Sequence, residues 1–405
     1  MARTPLLVPP VEVEEHHWLA ETDGMQSRSA MARASGPYES TRTPQIANLD
    51  LTLPTELAAD AEDAAAALTR FNTYANWRLG SHSPSLGPMS AILLRTESAS
   101  SSQIENLTAG ARDLALAEID ETTSANAKLV VANVRAMEAA LDLADKLDTN
   151  AILAVHAELL ANQPGWESHA GKLREQLVWV GSSAITPRGA QHVAPQPAYV
   201  PDAMEDLVRF MRREDLPVIV QAAIAHAQLE TIHPFVDGNG RTGRAVVHAL
   251  VRSKGLVTDT TAPISAGLLR NTAGYIDALT AYRAGDARPI VERFSEAARF
   301  AASSGAELVD ALADELDSAL DRLSHLRSDA TAKKVVPHLV AHPVINAAFL
   351  QRRLALSGVT AQRALAQLAD AEVLDERTGK RRGRVWQHTG IIDVLDDYAR
   401  SLRRR

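Results

Sequence analysis

Cysteine is absent from this chain of 405 residues, aromatic residues make up only 4% of it, and no apolar run is long enough for a membrane span. Without cysteine there are no disulfides and no thiolate metal sites, which fits a reducing compartment. The N-terminus MARTPLLVPPVEVEEHH also lacks the charged-then-apolar pattern of a signal peptide. We therefore expect a cytoplasmic protein that makes no use of a membrane.

Basic residues are also outnumbered by acidic ones, and the formal net charge is −8. The chain as a whole is therefore not built to bind a polyanion, and any face for nucleic acid must be local. Two common nucleotide-binding patterns are missing as well: there is no Walker A sequence and no Gly-x-Gly-x-x-Gly after a strand. A nucleotide would have to be bound by another kind of loop.

What the sequence does have is helical periodicity, which predicts a mainly α fold. A strong helical run opens at Thr55, and the stretch 124–162 places alanine, leucine and valine at helical spacing. The exception is a pair of short β-favouring runs, Leu177–Val180 and Ala190–Val193, around a turn of glycine, serine and proline, which predicts a small β-hairpin. Residues 1–50 show little periodicity and are expected to form an extended arm with short structured pieces.

Residues 329–405 form a separate C-terminal segment, in which three short helical patterns precede two short β-favouring runs around a basic turn. This order is typical of a winged helix-turn-helix. From residue 377 onward there are nine basic and three acidic residues, a local net charge of +6 that could contact DNA phosphates. The third helix has few base-reading side chains and winged helices also bind proteins, so both kinds of partner remain open. Those side chains are Thr360, Gln362, Arg363 and Gln367.

The densest cluster of charged and small residues is HPFVDGNGRTGR, residues 233–244. Gly238 and Gly240 allow backbone amides to converge on one point, and converging amides at the start of a helix form an anion site. Arg241 and Arg244 lie three residues apart, so both guanidiniums can reach one ligand. Two guanidiniums beside such amides suit a polyphosphate. A Gly-Asn-Gly triplet alone is usually only a turn, but here all of these groups coincide.

Two further side chains of this loop supply groups for catalysis. Asp237 can hold Mg²⁺, an ion that takes few protein carboxylates and completes its shell with substrate phosphates. His233 titrates near neutral pH and can take a proton from an incoming hydroxyl. We expect one helix to end before His233 and the next to begin after Arg241. The loop therefore predicts phosphoryl or nucleotidyl transfer, carried out by positioning and by neutralising charge.

HPFVDGNGRTGR resembles the signature loop of the Fic family, His-x-Phe-x-Asp/Glu-Gly-Asn-Gly-Arg-x-x-Arg, and every fixed position matches. The resemblance covers residues 110–290 and extends to the N-terminal region and the C-terminal segment. It implies a Fic-type helical bundle with a small β-hairpin flap and a C-terminal winged helix-turn-helix domain. The implied domains are an N-terminal helical region with an inhibitory helix (1–110), the Fic catalytic domain (111–290), connecting helices (291–328) and the winged helix-turn-helix domain (329–405).

The resemblance implies a protein adenylyltransferase, which transfers AMP from ATP to a serine, threonine or tyrosine hydroxyl of a target protein with the help of Mg²⁺. His233 would be the general base, Asp237 the Mg²⁺ ligand and Phe235 the apolar anchor of the loop. Arg241 would stabilise the leaving pyrophosphate, and Arg244 would bind the γ-phosphate. The residues implied to bind ATP are Gly238, Asn239, Gly240, Arg241 and Arg244. The phosphate-transferring Doc type departs from Gly-Asn-Gly-Arg in this loop, so the match favours AMP transfer.

The predicted hairpin, residues 177–193, resembles the flap of the family, which holds an extended segment of the target by strand addition, main chain to main chain. A purely structural hairpin that caps the core remains the alternative. Downstream, Tyr275 resembles a position near the adenine, although its helical spacing alone favours a place in the core. Self-association as a homodimer stays open, because no segment of the sequence decides it.

A second motif, SSSQIEN, resembles the inhibitory sequence of the family, Ser/Thr-x-x-x-Glu-Gly/Asn, through Ser101, Glu105 and Asn106. A glutamate on a neighbouring helix can pair with Arg244 and occupy the γ-phosphate site, so the enzyme would be autoinhibited. In some relatives the same glutamate orients a water that removes AMP, so a de-AMPylating activity is one alternative. The other is a nucleotide-sensing, DNA-binding regulator, which the intact His233 disfavours because a sensor needs no base.

Overall fold

The computed structural model describes residues 4–20, 27–79, 86–161, 163–377 and 384–402. The chain forms two compact units. The first unit contains Met1–Ala65, Ala136–Lys254 and Asn271–Ser295, and the second contains Ala66–Arg135, Gly255–Arg270 and Glu296–Arg405. The domains expected from the sequence are consecutive segments of the chain, whereas each of these units combines three separate segments. The expected boundaries stay a prediction.

Helices account for most of the described residues, which confirms the mainly α fold. The helices are α1 (Arg28–Ala34), α2 (Thr55–Leu79), α3 (Leu86–Ile104), α4 (Ala111–Glu118), α5 (Ala125–Asp142), α6 (Thr149–Leu160), α7 (Val200–Met211), α8 (Val218–Ile232), α9 (Asn239–Ser253), α10 (Ile264–Leu269), α11 (Thr272–Arg283), α12 (Arg288–Arg322), α13 (Thr331–Ala341), α14 (Ala347–Leu354), α15 (Gly358–Asp370) and α16 (Thr389–Ser401). The strands are β1 (Glu12–Trp18), β2 (Gly36–Arg42), β3 (Trp179–Val180), β4 (His192–Val193), β5 (Val344–Asn346), β6 (Asp375–Glu376) and β7 (Val385–Gln387). Within the described ranges, no helix combines the length and the apolarity that a bilayer-spanning segment needs.

The first unit is built around α8, which is buried along nearly its whole length. Its sequence, VIVQAAIAHAQLETI, is largely apolar on all sides, as expected of a helix that other elements surround. It packs against α7 and α9. A Cβ added to Gly243 of α9 would lie 3.1 Å from Nδ1 of His226 in α8, so this glycine lets the two helices approach closely. The close contact fixes the two helices that carry the loop between them.

The N-terminal arm contains a regular two-stranded antiparallel sheet, which the weak periodicity of residues 1–50 did not indicate. β1 and β2 pair along their whole length, from Glu12 opposite Arg42 to Trp18 opposite Gly36. The arm is therefore more ordered than the short structured pieces expected from the sequence.

The predicted β-hairpin is confirmed, since β3 pairs antiparallel with β4. The sheet of the N-terminal arm is attached to this hairpin. The indole Nε1 of Trp18 donates to the carbonyl oxygen of Ile185 at 2.9 Å, and the hydroxyl of Thr41 donates to the carbonyl oxygen of Val193 at 2.9 Å. The rings of Trp18 and Trp179 also meet edge to face, with centroids 5.2 Å apart. The arm thus fixes the position of the hairpin.

The C-terminal segment has the three helices expected from the sequence, α13, α14 and α15, followed by the two expected strands, β6 and β7. Two elements were not expected: β5, which pairs with β7 in a sheet of order β5-β7-β6, and the last helix, α16. The centre of the basic turn (378–383) and the terminal arginines (403–405) lie outside the described residues. A winged helix-turn-helix in this segment stays a prediction.

Candidate active site

The first end of the loop is formed by α8, whose last residue is Ile232. The next residue, His233, takes the left-handed conformation (φ 49°, ψ 60°), while its amide still donates to the carbonyl oxygen of Leu229 at 2.8 Å. A non-glycine residue in this region carries backbone strain of about 1 to 3 kcal/mol, and such strain is common at functional sites. The chain therefore turns sharply at the residue predicted to be the base.

The second end of the loop is the start of α9. Gly238 is left-handed (φ 76°) and caps this helix, which begins at Asn239. The sequence had indicated a start after Arg241, but the helix begins earlier because the glycine turns the chain directly ahead of it. Arg241 therefore lies in the first turn of α9, where the helix N-terminus favours an anion.

Gly238→Ala is predicted to lower the free energy of unfolding by about 2 to 5 kcal/mol. The added Cβ would lie 2.7 Å from Cδ2 of Leu159, on a left-handed backbone with φ of 76°. Gly255→Ala is the matched control: φ is 75° there and nothing lies within 4 Å of the added Cβ, so only strain of about 1 to 2 kcal/mol remains. Chemical denaturation of both variants provides the measurement, and equal losses would contradict a steric role for Gly238.

Inside the loop, the side chain of Asn239 holds the backbone of Phe235. Its Oδ1 accepts from the amide of Phe235, and its Nδ2 donates to the carbonyl oxygen of the same residue, each at 2.9 Å. The Phe235 ring is fully buried and stacks on the ring of His156, with centroids 3.8 Å apart and planes inclined by 6°. Each polar atom of the Asn239 side chain therefore makes a hydrogen bond that shapes the loop, and the predicted contact of Asn239 with phosphate stays a prediction.

His156 of α6 is part of the site, although a lone histidine on a helix gives no signal in a sequence. Its Nε2 donates to the carbonyl oxygen of Asp237 at 3.0 Å, and its Nδ1 accepts from the amide of Gly171 at 3.1 Å. These contacts need a neutral ring with its hydrogen on Nε2, and burial lowers the pKa of His156 to about 4, which maintains that form. His156 therefore fixes the backbone at the predicted metal ligand.

The ring of His233 is held in one tautomer. Its Nδ1 lies 3.3 Å from the carbonyl oxygen of Glu230, which can only accept, so the hydrogen is on Nδ1 and the lone pair is on Nε2. Burial lowers the pKa of His233 to about 4, and the nearby cations Arg174 and Arg283 act in the same direction. The side chain still keeps 17% of its surface exposed. The imidazole is therefore neutral at neutral pH and can be reached.

Asp237 and Arg241 form an ion pair at the other side of the loop. Nη2 of Arg241 donates to Oδ2 of Asp237 at 3.2 Å, and Nε2 of Gln163 donates to the same oxygen at 3.4 Å. The Asp237 side chain is 36% exposed, whereas Arg241 is buried. In the part of the chain that the structure describes, no three histidine or acidic side chains gather as a metal cluster. A single accessible carboxylate fits Mg²⁺ bound together with phosphates.

Arg244 lies about one turn further along α9 and is buried. Its charge adds to the effect of burial in lowering the pKa of His226, in α8, to about 3. Nε2 of His226 is hydrogen-bonded at 2.7 Å to the hydroxyl of Tyr275, a side chain that is only 2% exposed. The core position that helical spacing predicted for Tyr275 is thus confirmed.

A groove of about 1250 Å³ lies beside the flap in the first unit. Its walls come from β1, β2, the hairpin segment 186–193 and the end of α11, including Arg283. His192 of β4 also lines the groove, and its ring centroid lies 6.3 Å from that of His233. The groove therefore leads from the flap to side chains that surround the predicted base.

The predicted inhibitory residues belong to the second unit, at the end of α3. Ser101 is buried in the last turn of this helix, and Glu105 follows the helix directly with its side chain partly buried. Asn106 is left-handed (φ 62°), a conformation that favours glycine and asparagine, which accounts for Gly/Asn at this position of the motif. The pairing of Glu105 with Arg244 stays a prediction.

Two family models match the chain: residues 146–251 match the Fic/DOC family, and residues 58–142 match the Fic/DOC family N-terminal region. Protein adenylyltransferase fic-1 of Caenorhabditis elegans is 33% identical over 150 residues, which are 36% of this chain and 26% of the relative. A probable protein adenylyltransferase of Aquifex aeolicus is 34% identical over 123 residues, which are 30% of this chain and 36% of the relative. The match spans about a quarter to a third of these relatives' length.

The crystal structure of a Fic family protein from Desulfovibrio desulfuricans G20 superposes with a TM-score of 0.51 at 20% identity, over 86% of this chain and 99% of that one. At this identity the likeness shows the fold alone. The loop 233–244 lies entirely within the matched range 146–251, and the inhibitory motif lies within 58–142.

Proposed function

We propose that this chain, whose residues 58–142 and 146–251 match the two Fic/DOC family models, is a protein adenylyltransferase that transfers AMP from ATP to a serine, threonine or tyrosine hydroxyl of a target protein. The observation that carries the proposal is the neutral His233, with its lone pair on Nε2, at the entrance of a loop that ends in a helix N-terminus. A base and an anion site a few residues apart are the two parts that nucleotidyl transfer needs.

The nucleotide side of the site is the start of α9. The first amides of an α-helix have no acceptor within the helix, and together with the helix dipole they attract phosphate. The amides of Gly238, Asn239 and Gly240 would hold the α- and β-phosphates. Arg241 would bind the leaving pyrophosphate and Arg244 the γ-phosphate, since guanidinium groups donate in pairs to phosphate oxygens.

Asp237 fits the role of Mg²⁺ ligand, since it is a partly exposed carboxylate next to the proposed phosphate site. Mg²⁺ held there would neutralise phosphate charge. Neighbouring side chains orient this carboxylate. Arg241 and Gln163 donate to Oδ2 of Asp237, and His156 donates to the carbonyl oxygen of the same residue. These contacts set the position of Asp237 before the nucleotide binds.

In the proposed reaction, the acceptor hydroxyl gives its proton to Nε2 of His233 while its oxygen attacks the α-phosphorus of ATP. The bond from the α-phosphorus to the oxygen that bridges it to the β-phosphorus breaks, and pyrophosphate leaves. The flap, 177–193, would present the target as an extended segment, main chain to main chain. The groove beside the flap supports this role, because His192 lines it next to the base.

The test compares two labels with the same enzyme in the presence of Mg²⁺. ATP labelled in its α-phosphate is expected to label the purified chain itself or an added purified acceptor protein, whereas ATP labelled in its γ-phosphate is expected to leave both unlabelled. The reason is that AMP carries only the α-phosphorus. Glu105→Gly is assayed beside the wild-type chain in order to remove the predicted inhibition.

Label from the γ-phosphate in place of the α-phosphate would indicate phosphate transfer and would overturn the proposal. Removal of AMP from an already modified protein, without any new label, would favour the de-AMPylating alternative. Absence of both activities, with DNA binding that weakens steeply as salt rises, would favour the DNA-binding regulator.

A further inference from the structure

One buried arginine outside the loop, Arg174, bonds four backbone carbonyl oxygens at once. Its Nε donates to His233 at 2.8 Å, and its Nη1 donates to Gln176 at 2.9 Å. Its Nη2 donates to Pro195 at 2.6 Å and to Ile232 at 3.3 Å. No other side chain carries so many donors in a rigid planar fork, so no other residue type can replace this set of bonds.

The bonded carbonyls belong to two parts of the first unit. Ile232 and His233 stand at the C-terminal end of α8, whereas Gln176 and Pro195 flank the flap on its two sides. One guanidinium therefore connects both stems of the flap to the backbone of the predicted base.

The surroundings of Arg174 indicate that these hydrogen bonds hold the backbone in position. Among the described residues its partners are carbonyl oxygens, and no carboxylate forms an ion pair with it. Burial lowers the pKa of Arg174 to about 10, which reflects the cost of removing a cation from water. The carbonyl dipoles at the end of α8 offset part of that cost. An apolar side chain would avoid the cost altogether, so the arginine points to a need for directed bonds.

The end of α8 is also where the backbone is strained. His233 is left-handed, and the bond from Arg174 to its carbonyl oxygen holds that peptide in its orientation. The carbonyl oxygen of Thr231 accepts from Nε2 of His192, in the flap strand β4, at 3.0 Å. Three consecutive carbonyls, those of Thr231, Ile232 and His233, are therefore bonded by the flap or by the residue that holds it.

We propose, on the basis of the proposed function, that Arg174 is a positioning residue for AMP transfer. It holds the flap at a fixed distance from Nε2 of His233, so that a hydroxyl presented by the flap meets the base.

The test replaces Arg174 by methionine and by lysine in the 405-residue chain that carries Glu105→Gly. The rate of transfer from α-labelled ATP to casein, an unfolded acceptor, and to the chain itself is measured. Arg174→Met should lower this rate by roughly tenfold to a hundredfold, because a displacement of about 1 Å at a reacting group has effects of that size. The KM for ATP should stay within about twofold, since Asn239 and His156 hold the phosphate loop independently. Arg174→Lys should recover part of the rate.

Hydrogen exchange supplies a readout that does not depend on activity. The amides of the flap should exchange faster in Arg174→Met than in the parent, whereas those of α9 should not. Arg213→Met is the matched control, because Arg213 also donates to a backbone carbonyl, that of Leu49 at 2.6 Å, but its ion-pair partner is Asp215 and not the flap. This control should change neither the transfer rate nor the exchange of the flap.

A transfer rate of folded Arg174→Met within about twofold of the parent would overturn the proposal. Unchanged hydrogen exchange in the flap would overturn the proposal as well. A loss of ATP affinity that parallels the loss of transfer would also overturn it, since Arg174 would then have only a structural role. If the parent transfers no AMP at all, the proposed function fails, and the exchange data alone decide whether Arg174 fixes the flap.

Discussion

His233→Ala is expected to slow AMP transfer about 10²- to 10⁴-fold, the usual contribution of a general base. The variant keeps the start of α9 intact but has no group to accept the proton of the acceptor hydroxyl. The fold should tolerate the change, because the side chain is partly exposed and its Nδ1 bond to the carbonyl oxygen of Glu230 is long, at 3.3 Å. The measurement is the initial rate with α-labelled ATP in chains that carry Glu105→Gly.

Two controls separate loss of the base from loss of the site. The KM for ATP of His233→Ala should remain within about threefold of the parent, since the phosphates are proposed to contact α9. In the nucleotide-free parent, NMR titration should find the His233 ring neutral down to a pH of about 5, because burial has lowered its pKa to about 4. Because the pKa of this histidine is lower in the folded state than in the unfolded state, the free energy of unfolding decreases as the pH falls below the unfolded-state pKa of about 6.5. A rate near that of the parent in His233→Ala would exclude this residue as the base.

The loop could be read from the sequence because its chemistry is local. The predicted base, the predicted metal ligand, the glycines and the arginines all stand within residues 233–244, and each glycine or asparagine reports on its own backbone. Arg174 and His156 could not be found in this way. Their roles come from bonds to carbonyl oxygens 59 and 81 positions away along the chain, and nothing near either residue marks such a partner.

The helices could be predicted from the sequence better than the strands of the N-terminal arm, again because helical structure is local. The alanine- and leucine-rich stretches predicted α2 and α5 because a helix makes its hydrogen bonds locally. β1 has the sequence EVEEHHW, which is mostly polar and partly exposed, so it lacks the apolar alternation that marks a strand. Its partner β2 begins only at Gly36, and the two strands contact the flap through Trp18 and Thr41. The pairing of β1 with β2 is decided by tertiary contacts, so the strand propensity of single residues does not predict it.

Glu105→Gly is expected to raise the rate of AMP transfer by about tenfold to a hundredfold. If the carboxylate pairs with Arg244, ATP must displace a charge-assisted bond worth about 1.5 to 3 kcal/mol before its γ-phosphate can bind. Helix α3, which ends directly before Glu105, is held by hydrogen bonds within the second unit. In α3, the carboxylate of Glu97 accepts from the amide of Ser265 at 2.9 Å, and Nδ2 of Asn133 donates to the carbonyl oxygen of Ser98 at 2.9 Å. Removing the side chain of Glu105 is therefore the direct test of the predicted pairing.

Asn106→Gly is the control that distinguishes loss of the carboxylate from a looser helix end. Residue 106 has a φ of 62°, so glycine fits there without strain, and Glu105 is kept. This variant should transfer AMP as slowly as the wild-type chain, whereas Glu105→Gln should be intermediate because it keeps the shape and loses the charge. Equal activation by Asn106→Gly and Glu105→Gly would assign the inhibition to the rigidity of α3. An unchanged rate in Glu105→Gly would show that the glutamate does not compete with ATP for Arg244.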